Sequence, residues 1–523
     1  MNVRMVTSLI HCTSRAFGPI LVAGTLALQG CAQLPAQVQR SESVAFQNTG
    51  DTHLGRVVAP LAQAHPGKSG VVALPQGIDA FAARARLADV AERSLDVQYY
   101  IWHNDMSGNL LFDALRRAAD RGVRVRLLLD DNNTADLDDV LAELALHRNI
   151  EVRLFNPFAM RSWRTLSYLS DFARLNRRMH NKSFTADNQV TIVGGRNVGD
   201  EYFGAGKDVQ FVDLDVMAIG EVVHQVSNDF DLYWASDSAY PADRVLNAAS
   251  PSLTIAASNP AADPERSVPG AAYLEAIRRQ QYKRQMVEQR LSFEWADAHL
   301  VSDDPSKVEG IASDDQLLWS RLKRILPPPK QELELVSPYF VPGAEGVEHF
   351  VDLARRGAKI TILTNSLEAT DVAAVQAGYA KRRKPLLEAG IALFEMKRAS
   401  SSASSAFRRP GSSSAASLHA KTFVVDRSAV FVGSFNFDPR SARLNTELGF
   451  VIECPAMAAT IADGVTGLLA ERAYRVRIGP GGALQWMEQI DGHEVVHDEE
   501  PGAGFWRQLG VSVLSLLPVE WLL

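Results

Sequence analysis

The sequence predicts an α/β protein made of two duplicated halves, because one strand–helix–strand pattern and one polar signature each occur twice. In both halves an apolar strand segment is followed by a helical segment between two glycines, Gly108 and Gly122 in the first half and Gly343 and Gly357 in the second, and the spacing of the two pairs is identical. Such units imply parallel strand pairing through right-handed crossovers. We interpret the chain as an internal duplication and not as a solenoid of short repeats.

The elements of each half follow from local patterns. In the first half, residues 94–102 form an apolar strand and residues 109–121 a helix with one apolar face, and Gly122 is placed to end that helix. Residues 123–130 form the next strand. In the second half, residues 333–341 form the strand, the helix runs between Gly343 and Gly357, and residues 358–365 form the following strand.

The polar signature is H-x-K-x4-D, and its two copies agree beyond the motif itself. Gly194 and Gly433 follow their histidines at the same offset, and so do the two asparagines further on. One copy would be weak evidence, since histidine and lysine are common on exposed strands. Two copies inside duplicated α/β units predict one shared catalytic site. Its candidate residues are His180, Lys182, Asp187 and Asn197 in the first half and His419, Lys421, Asp426 and Asn436 in the second.

These residue types suit phosphoryl transfer. A histidine and a lysine two positions apart on a strand point to the same face. One histidine can attack phosphorus while the other protonates the leaving alcohol, which divides the reaction through a covalent phosphohistidine. Lysine and asparagine would stabilise phosphate charge, so we expect neither a metal nor another cofactor. The Asp would fix the loop after the strand or pair with a cation, and the glycines would let the backbone approach the phosphate.

Each histidine also needs a partner that fixes its tautomer. Asp213 follows His180 in the first half and Glu447 follows His419 in the second, each in strand-like sequence. We expect each carboxylate to orient the histidine of its own half. Asp215 is a rival for the role of Asp213.

Composition limits the other possibilities. The chain has 523 residues, enough for at least two domains, and a formal net charge of −7. That charge disfavours a general nucleic-acid binder, so no nucleic-acid partner is expected. The three cysteines, Cys12, Cys31 and Cys454, form no disulfide framework.

The N-terminus is typical of a secretory signal. A basic start and a short apolar stretch at positions 17–28 lead to Leu28-Gln29-Gly30-Cys31. This ending resembles a bacterial lipobox, which would make Cys31 the lipidated first residue of a mature, periplasm-facing lipoprotein. Because Ala32 is not Asp, the outer membrane is the expected location. The alternative is a plain signal peptide with an incidental cysteine.

We predict six regions. Residues 1–31 are the signal, 32–80 a tether and lead-in, 81–245 the first α/β domain, 246–330 a mixed helical connection closed by three prolines, 331–475 the second α/β domain, and 476–523 a hairpin and an apolar tail. The serine-rich segment 400–417 is predicted to be a loop, either a lid over the site or a disordered insertion. The tail is too short to span a bilayer, and it could lie at the membrane interface or dock on the domain.

His493-Glu494-Val495-Val496-His497 matches a zinc-protease motif. That chemistry needs a helix, whereas Asp491-Gly492 and the valines favour a hairpin strand. No third ligand is apparent, so we expect no metal here.

The double motif resembles the phospholipase D superfamily, and the resemblance covers most of the mature chain. Within that superfamily the chain is most similar to the bacterial cardiolipin synthases of the C subgroup, through residues 96–102, 126–131, 175–182, 194–203, 366–371, 433–441 and 516–520. The resemblance implies two duplicated α/β/α sandwich domains that form one active site. It also implies a membrane enzyme acting on phospholipids, with His180 as nucleophile and His419 as acid and base.

The implied reaction is phosphatidyl transfer that makes cardiolipin from phosphatidylglycerol and a second phospholipid, thought to be phosphatidylethanolamine in the C subgroup. Three alternatives stay open: a phospholipase D hydrolase, a phosphodiesterase or nuclease of the same superfamily, and a catalytically inactive binding lipoprotein. Arg174, Arg177 and Arg178 near His180 would suit a nucleic-acid backbone and a lipid headgroup equally well.

Overall fold

The protein is represented by a computed structural model that describes residues 39–205, 209–246, 292–370, 372–400, 415–490 and 492–502, with residues 34 and 504. Four of the predicted features lie wholly or largely outside the described residues. They are the signal with Cys31, the connection at residues 247–291, residues 401–414 of the serine-rich segment, and the apolar tail from residue 505.

The first half is a mixed sheet whose central strands are parallel. Its order is β9-β4-β3-β2-β5-β6-β8-β1, in which β2, β3 and β4 run parallel and the other neighbours antiparallel. The strands are β1 (Ser69–Leu74), β2 (Ser94–Ile101), β3 (Arg124–Asn133), β4 (Ile150–Phe155), β5 (Ser183–Ala186), β6 (Val190–Gly194), β7 (Val209–Val212), β8 (Asp215–Gly220) and β9 (Ala239–Pro241).

The second half repeats this arrangement and extends it by a hairpin, which confirms the predicted duplication and the parallel pairing. In the same direction as for the first half, its order is β21-β20-β19-β13-β12-β11-β16-β17-β18-β10, with β11, β12 and β13 parallel. The strands are β10 (Glu294–Ser302), β11 (Glu332–Val336), β12 (Lys359–Asn365), β13 (Ala392–Met396), β14 (Ala399–Ser400), β15 (Ala415–Leu418), β16 (Thr422–Val425), β17 (Ala429–Gly433), β18 (Leu448–Glu453), β19 (Ala473–Ile478), β20 (Leu484–Ile490) and β21 (His493–His497).

The two helices that the sequence predicted form close to their predicted bounds, as α3 (Met106–Asp120) and α10 (Gly343–Arg355). Asp105 caps α3 by accepting a 2.9 Å hydrogen bond from the Gly108 amide, and Gly122 follows the helix with φ of 97°. Gly357 has φ of 101° after α10. The helices are α1 (His53–Gln63), α2 (Gly77–Val90), α3 (Met106–Asp120), α4 (Asp138–Ala145), α5 (Arg164–Ser170), α6 (Phe172–Leu175), α7 (Glu221–Ala235), α8 (Ser306–Glu309), α9 (Leu318–Ile325), α10 (Gly343–Arg355), α11 (Ala373–Ala380), α12 (Arg383–Glu388), α13 (Pro439–Arg443) and α14 (Pro455–Arg472).

The two halves are joined by a strand pair and by a common apolar core. The antiparallel pairing of β1 with β10 makes the two sheets continuous. Val193 and Val216 of the first half belong to the same buried cluster as Val430, Val432 and Phe450 of the second. A small sheet, β14-β15-β7, also crosses between the halves, because β15 pairs in parallel with β7. The halves are therefore held in a fixed relation around the site.

Two expectations about connecting segments were wrong. Residues 53–80 are not a tether, since they form α1, β1 and the start of α2, and β1 pairs with both β8 and β10. Residues 415–417 belong to β15 and not to a loop. The described part of the mixed helical connection contains α8 and α9, and also β10, which was not foreseen. In each case a short strand gains its stability from pairing with distant residues, which local periodicity does not reveal.

Across the described ranges, none of the helices combines the length and apolar character needed to cross a membrane.

Candidate active site

Both histidines of the double motif open onto one cavity between the halves. The cavity has a volume of about 330 Å³ and takes its walls from residues of both halves. His180 is 7 % exposed, and the side chain of His419 is 15 % exposed. Both rings can therefore reach a ligand while being largely shielded from bulk water.

His180 is held by the second half. It lies in an extended segment just before β5, and its backbone amide donates to the Thr446 carbonyl at 2.9 Å. Its ring nitrogen Nδ1 is 2.8 Å from Oε2 of Glu447. A carboxylate accepts, so Nδ1 carries the proton and Nε2 is left for the cavity.

His419 is held by the first half in the same way. Its backbone amide donates to the Val212 carbonyl at 2.9 Å, at the end of the pairing between β15 and β7. Its Nδ1 is 2.6 Å from Oδ2 of Asp213. The two arrangements are thus counterparts, with Thr446 and Val212 each directly preceding the orienting carboxylate.

The predicted histidine–carboxylate pairing within each half was wrong, because the partners are exchanged between halves. Asp213 orients His419, and Glu447 orients His180. The physical reason is that each histidine segment pairs with the opposite half's strand, which brings that half's carboxylate to its ring. The rival Asp215 is engaged elsewhere, in a buried ion pair with Arg84 at 2.8 Å.

The two carboxylates differ in electrostatic character. Burial raises the pKa of Glu447 to about 7, against the charge of Lys182 and the hydroxyls of Ser434 and Ser441. Burial also acts to raise the pKa of Asp213, but the charge and hydrogen bond of His419 prevail and hold it at about 2. Asp213 is therefore ionised throughout the physiological range.

The surroundings of both imidazoles favour their neutral form at physiological pH. Burial and then the charges of Lys182 and Lys421 hold the pKa of His180 well below its ordinary value. Burial and the charge of Lys421 lower the pKa of His419 to about 4, although Asp213 acts in the opposite direction. A neutral imidazole is the nucleophilic form.

The two lysines are buried beside their histidines. Lys182 and Lys421 are 1 % and 2 % exposed, and each ammonium donates to the carbonyl of the histidine two positions before it. Burial holds the pKa of Lys182 well below its ordinary value, while the charge of Glu447 opposes that effect. A phosphate that enters the cavity would favour the charged form of both lysines. The expectation that motif residues lie on a strand was wrong by a few positions, since β5 and β16 begin after the lysines.

The two asparagines both line the cavity but are used differently. Asn197 accepts from the Ile101 amide at 3.2 Å and donates to the Tyr202 hydroxyl at 3.0 Å. Asn436 is 6 % exposed, and within the described part of the chain its side-chain oxygen has no hydrogen-bond partner. The Asn436 amide is thus the one more available to a ligand.

The two motif aspartates lie away from the cavity. Asp187 accepts from the backbone amides of Glu92, Arg93 and Ser94 at the beginning of β2, whereas the end of β2 reaches the site. Asp426 does the same for the amides of residues 330–332 at the beginning of β11. Their placement matches the predicted role of fixing a loop, and the structure does not bring them to the reacting groups.

The glycines after each motif serve protein packing, which corrects the expectation that they admit phosphate. A Cβ on Gly195 would overlap Oδ1 of Asp213, and one on Gly433 would overlap the Leu448 carbonyl. Ser434, the counterpart of Gly195, instead donates its hydroxyl to Glu447. Gly195 therefore leaves room for the Asp213 carboxylate in the first half, whereas Ser434 hydrogen-bonds to the Glu447 carboxylate in the second.

Several cavity residues were not predicted. Tyr100 packs edge-on against His180 at 4.8 Å between ring centroids, and Tyr202 packs in the same way against His419 at 5.1 Å. Burial raises the pKa of Asp438 to about 6, and the Arg440 guanidinium is anchored to the Asn176 carbonyl at 2.8 Å. Tyr202 follows His180 at the same offset as Ser441 follows His419. A position-by-position comparison of the two halves could therefore have pointed to both residues.

The arginines that precede His180 face protein groups. Arg178 forms a buried pair with Asp130 at 2.7 Å, Arg177 donates to the Lys307 carbonyl at 2.9 Å, and Arg174 pairs with Asp171 at 2.6 Å. They do not line the cavity. They therefore favour neither of the two ligands that they had suited equally, a nucleic-acid backbone and a lipid headgroup.

The zinc-protease match lies on a strand, as predicted. β21 pairs antiparallel with β20 in a hairpin, and His497 is 2.8 Å from Glu488. Within the described ranges, no three or more His, Cys, Asp or Glu side chains are grouped as a metal site would require.

Comparison with known proteins identifies the family. The protein-family model described as "Cardiolipin synthase, PLD-like domain" matches residues 85–234 and 322–466, one stretch in each half. Cardiolipin synthase C of Escherichia coli K12 is 49 % identical over 471 residues, covering 90 % of this chain and 99 % of that protein. Cardiolipin synthase B of the same organism is 23 % identical, covering 74 % and 77 %.

A solved structure shows the same fold at low sequence identity. The phosphatidylserine synthase of Haemophilus influenzae superposes with a TM-score of 0.54 at 13 % identity, covering 90 % of this chain and all of that chain. The two-half architecture, the double motif and these matches agree. The chain belongs to the cardiolipin synthase family of phospholipase D-like proteins.

Proposed function

We propose that this protein is a phosphatidyltransferase that makes cardiolipin from phosphatidylglycerol and a second phospholipid through a phosphatidyl-histidine intermediate. The observation that carries the proposal is the reciprocal holding of two histidines, His180 by Glu447 and His419 by Asp213, on one cavity. The 49 % identity to a protein named cardiolipin synthase C supports the choice of lipid substrates.

The first step forms the covalent intermediate. Nε2 of neutral His180 attacks the phosphorus of the donor lipid, and the bond from phosphorus to the leaving alcohol breaks. His419 gives its Nε2 proton to the leaving oxygen, while Lys182, Lys421 and Asn436 stabilise the equatorial oxygens. The negative phosphate offsets the lysine charges, which raises the pKa of His419 and lets it hold that proton on binding.

The second step transfers the phosphatidyl group. His419, now neutral, takes the proton from a glycerol hydroxyl of phosphatidylglycerol, whose oxygen attacks phosphorus as the bond to His180 breaks. The product is cardiolipin, and both histidines return to their starting states. Water in place of the lipid hydroxyl would give phosphatidic acid instead.

The difference between the two carboxylates supports this assignment of roles. Asp213, whose pKa is held at about 2, keeps its charge and stabilises the imidazolium that His419 forms in the reaction. Burial raises the pKa of Glu447 to about 7, so it places less fixed charge beside His180. Attack through Nε2 leaves positive charge on the His180 ring, and Glu447 can take up the Nδ1 proton and neutralise the phosphohistidine because its pKa lies near neutrality.

We also propose that the mature chain is attached to the outer membrane through lipidated Cys31 and faces the periplasm, an arrangement that keeps the enzyme beside its lipid substrates. The basis is the lipobox-like sequence alone. Phospholipids and the membrane are the proposed partners, and no nucleic-acid partner is proposed.

The test incubates detergent-solubilised protein with phosphatidylglycerol, with and without phosphatidylethanolamine, and identifies lipid and water-soluble products. Cardiolipin with released ethanolamine or glycerol supports transfer and names the donor. Phosphatidic acid alone would make the protein a hydrolase, and no turnover of any lipid would redirect the search to other phosphodiesters. His180→Ala and His419→Ala should each abolish turnover while leaving thermal unfolding unchanged. After incubation with labelled lipid, the wild-type protein should retain an acid-labile label through the phosphatidyl-histidine bond, and His180→Ala should not.

A further inference from the structure

The segment that leads into His180 presents an unusual outer face. Residues 161–175, here called the docking segment, comprise a short 3-10 turn followed by α5 and α6. Trp163, Leu169 and Phe172 are 71 %, 81 % and 43 % exposed. The remaining exposed positions are Ser162, Thr165, Ser170 and Ala173, none of which is charged.

The two arginines that begin the segment are turned toward the protein. Arg164 donates to the Asp131 carbonyl at 2.7 Å, and Arg161 pairs with the carboxylates of Asp131 and Asp138. The other two charged side chains, Asp171 and Arg174, are 41 % and 30 % exposed and pair with each other at 2.6 Å, so they add no net charge to this surface. A tryptophan and two further large apolar side chains exposed within so short a stretch are costly in water, and such a concentration indicates a binding surface.

The docking segment is attached to the wall of the cavity. The Tyr168 hydroxyl donates to Asn132 at 2.6 Å, and the Asn132 amide is 3.4 Å from the hydroxyl of Tyr100. Tyr100 lines the cavity and packs on His180. Two successive hydrogen bonds therefore connect the docking segment to a residue in the wall of the site where the phosphate reacts.

The size of the cavity indicates what must lie at its mouth. A volume of about 330 Å³ is near the lower end for a site that encloses a drug-sized ligand. It can hold headgroup phosphates but not the acyl chains of two phospholipids, so these chains stay in the bilayer. The bilayer must then approach the cavity, and a tryptophan among small polar residues suits its interface.

Arg40, nine residues after the proposed anchor at Cys31, lies on the same side of the fold as the docking segment. Arg40 donates to the Ala239 carbonyl at 2.9 Å, and the neighbouring Ser238 carbonyl accepts from the Asn156 amide at 2.7 Å. The Asn156 side chain in turn donates to the carbonyls of Arg174 and Arg177 at 3.0 and 2.7 Å. An anchor that precedes residue 40 would hold this side of the protein against the membrane.

We propose that residues 161–175 dock onto a phospholipid bilayer, with Trp163, Leu169 and Phe172 inserted at the level where headgroups meet acyl chains. The docked segment places the mouth of the cavity on the lipid phosphates. The inference rests on the proposed function for the identity of the substrate, whereas insertion itself can be measured without turnover.

The first experiment measures insertion in the full-length protein, using vesicles of phosphatidylglycerol and phosphatidylethanolamine with brominated acyl chains. Bromine quenches tryptophan fluorescence at contact distance, so Trp163→Phe should remove part of the quenching seen in the wild type. In the Trp163→Phe background, Leu169→Trp should restore that quenching. Leu146→Trp is the matched control, since Leu146 is 75 % exposed but lies before β4, at the opposite end of the sheet from the cavity.

Equal quenching at positions 146 and 169 would overturn the proposal, as would identical quenching of Trp163→Phe and the wild type. If Trp163→Ser combined with Leu169→Ser and Phe172→Ser instead dissociated a dimer in analytical ultracentrifugation, a second copy of the chain would be the occupant of this face, and the proposal would be wrong.

The second experiment separates docking from catalysis. The triple serine variant should need about tenfold or more vesicle lipid for half-maximal turnover, because it loses most of the apolar area that enters the bilayer. Its turnover of a short-chain phospholipid dissolved as monomers should equal that of the wild type, and Leu146→Ser should behave as wild type on both substrates. Absence of turnover on both substrates in the wild type would refute the proposed function, whereas unchanged vesicle kinetics in an active triple variant would refute docking alone.

Discussion

Replacing Asp213 with asparagine tests the exchange of partners between halves and the role of His419. Asparagine keeps the shape of the side chain but removes the charge that lies 2.6 Å from Nδ1 of His419. It can also present its NH2 group to Nδ1, which would place the imidazole proton on the wrong nitrogen. We expect Asp213→Asn to impair every step that protonates His419.

The magnitude follows from the geometry. Nδ1 and Oδ2 are in contact, so the centres of the imidazolium and carboxylate charges are about 4 Å apart, where an effective dielectric constant near 20 gives about 4 kcal/mol. Since about 1.4 kcal/mol corresponds to a tenfold change, turnover of phosphatidylglycerol to cardiolipin should fall by about a thousandfold. A fall of less than about tenfold would refute imidazolium stabilisation by Asp213 as a major contribution.

Nuclear magnetic resonance of isotope-labelled histidine identifies which ring is affected. Asp213→Asn should lower the pKa of His419 further, because a carboxylate that raises it has been removed, and should leave the pKa of His180 nearly unchanged. If the pKa of His180 changed and that of His419 did not, the result would support pairing within each half. Glu447→Gln is the matched variant, and it should perturb His180 instead.

Stability provides an independent control. The pKa of Asp213 is about 2 in the folded protein against an ordinary value of 3.8, so its contribution is present above pH 3.8 and is lost as pH falls through about 2. Asp213→Asn should therefore unfold more easily than the wild type at pH 7, with the difference narrowing toward pH 2 in denaturant titrations.

Four further predictions concern other features. Chelators should leave turnover unchanged, and inhibition that added zinc reverses would revive a metal mechanism. Cys31→Ser should move protein from the membrane to the soluble fraction at least in part, and unchanged fractionation would assign anchoring to another part of the chain. Gly195→Ala should lower turnover and destabilise the fold by about 1–3 kcal/mol, because the new methyl group displaces the buried Asp213 carboxylate, and wild-type activity would show that the carboxylate can shift without loss of function. Arg84→Met should destabilise the fold by about 3 kcal/mol, because buried Asp215 would keep only its longer 3.5 Å ion pair with Arg196, and a change below about 1 kcal/mol in chemical denaturation would contradict that reasoning.

The duplicated strand–helix–strand units could be predicted from the sequence because local residue patterns determine them. The glycines that bound α3 and α10 and the apolar runs of β2, β3, β11 and β12 are read from neighbouring residues. β1 and β10 were missed because their stability depends on pairing with each other and with β8 and β18. The signal that could have found β1 is the apolar run Val71-Val72-Ala73-Leu74, which lies between Gly70 and Pro75.

For the site, sequence predicted the histidines and both orienting carboxylates but not how they pair. Motif offsets report which residues each half contributes, and they contain no information about how the halves dock. The pairing depends on tertiary contacts, the Thr446 and Val212 carbonyls that hold the histidine segments. Tyr100 was likewise visible only as one of several aromatic residues in an apolar strand until its ring was placed against His180.

The reciprocal exchange of carboxylates makes catalytic competence a property of the assembled chain. A separated half would hold an imidazole without its carboxylate and a carboxylate without its imidazole, so any opening between the halves would disable both histidines at once. Premature phosphodiester chemistry by a partly folded chain is thereby suppressed. By the same reasoning, a substitution that moves Glu447 acts first on His180, in the opposite half of the chain.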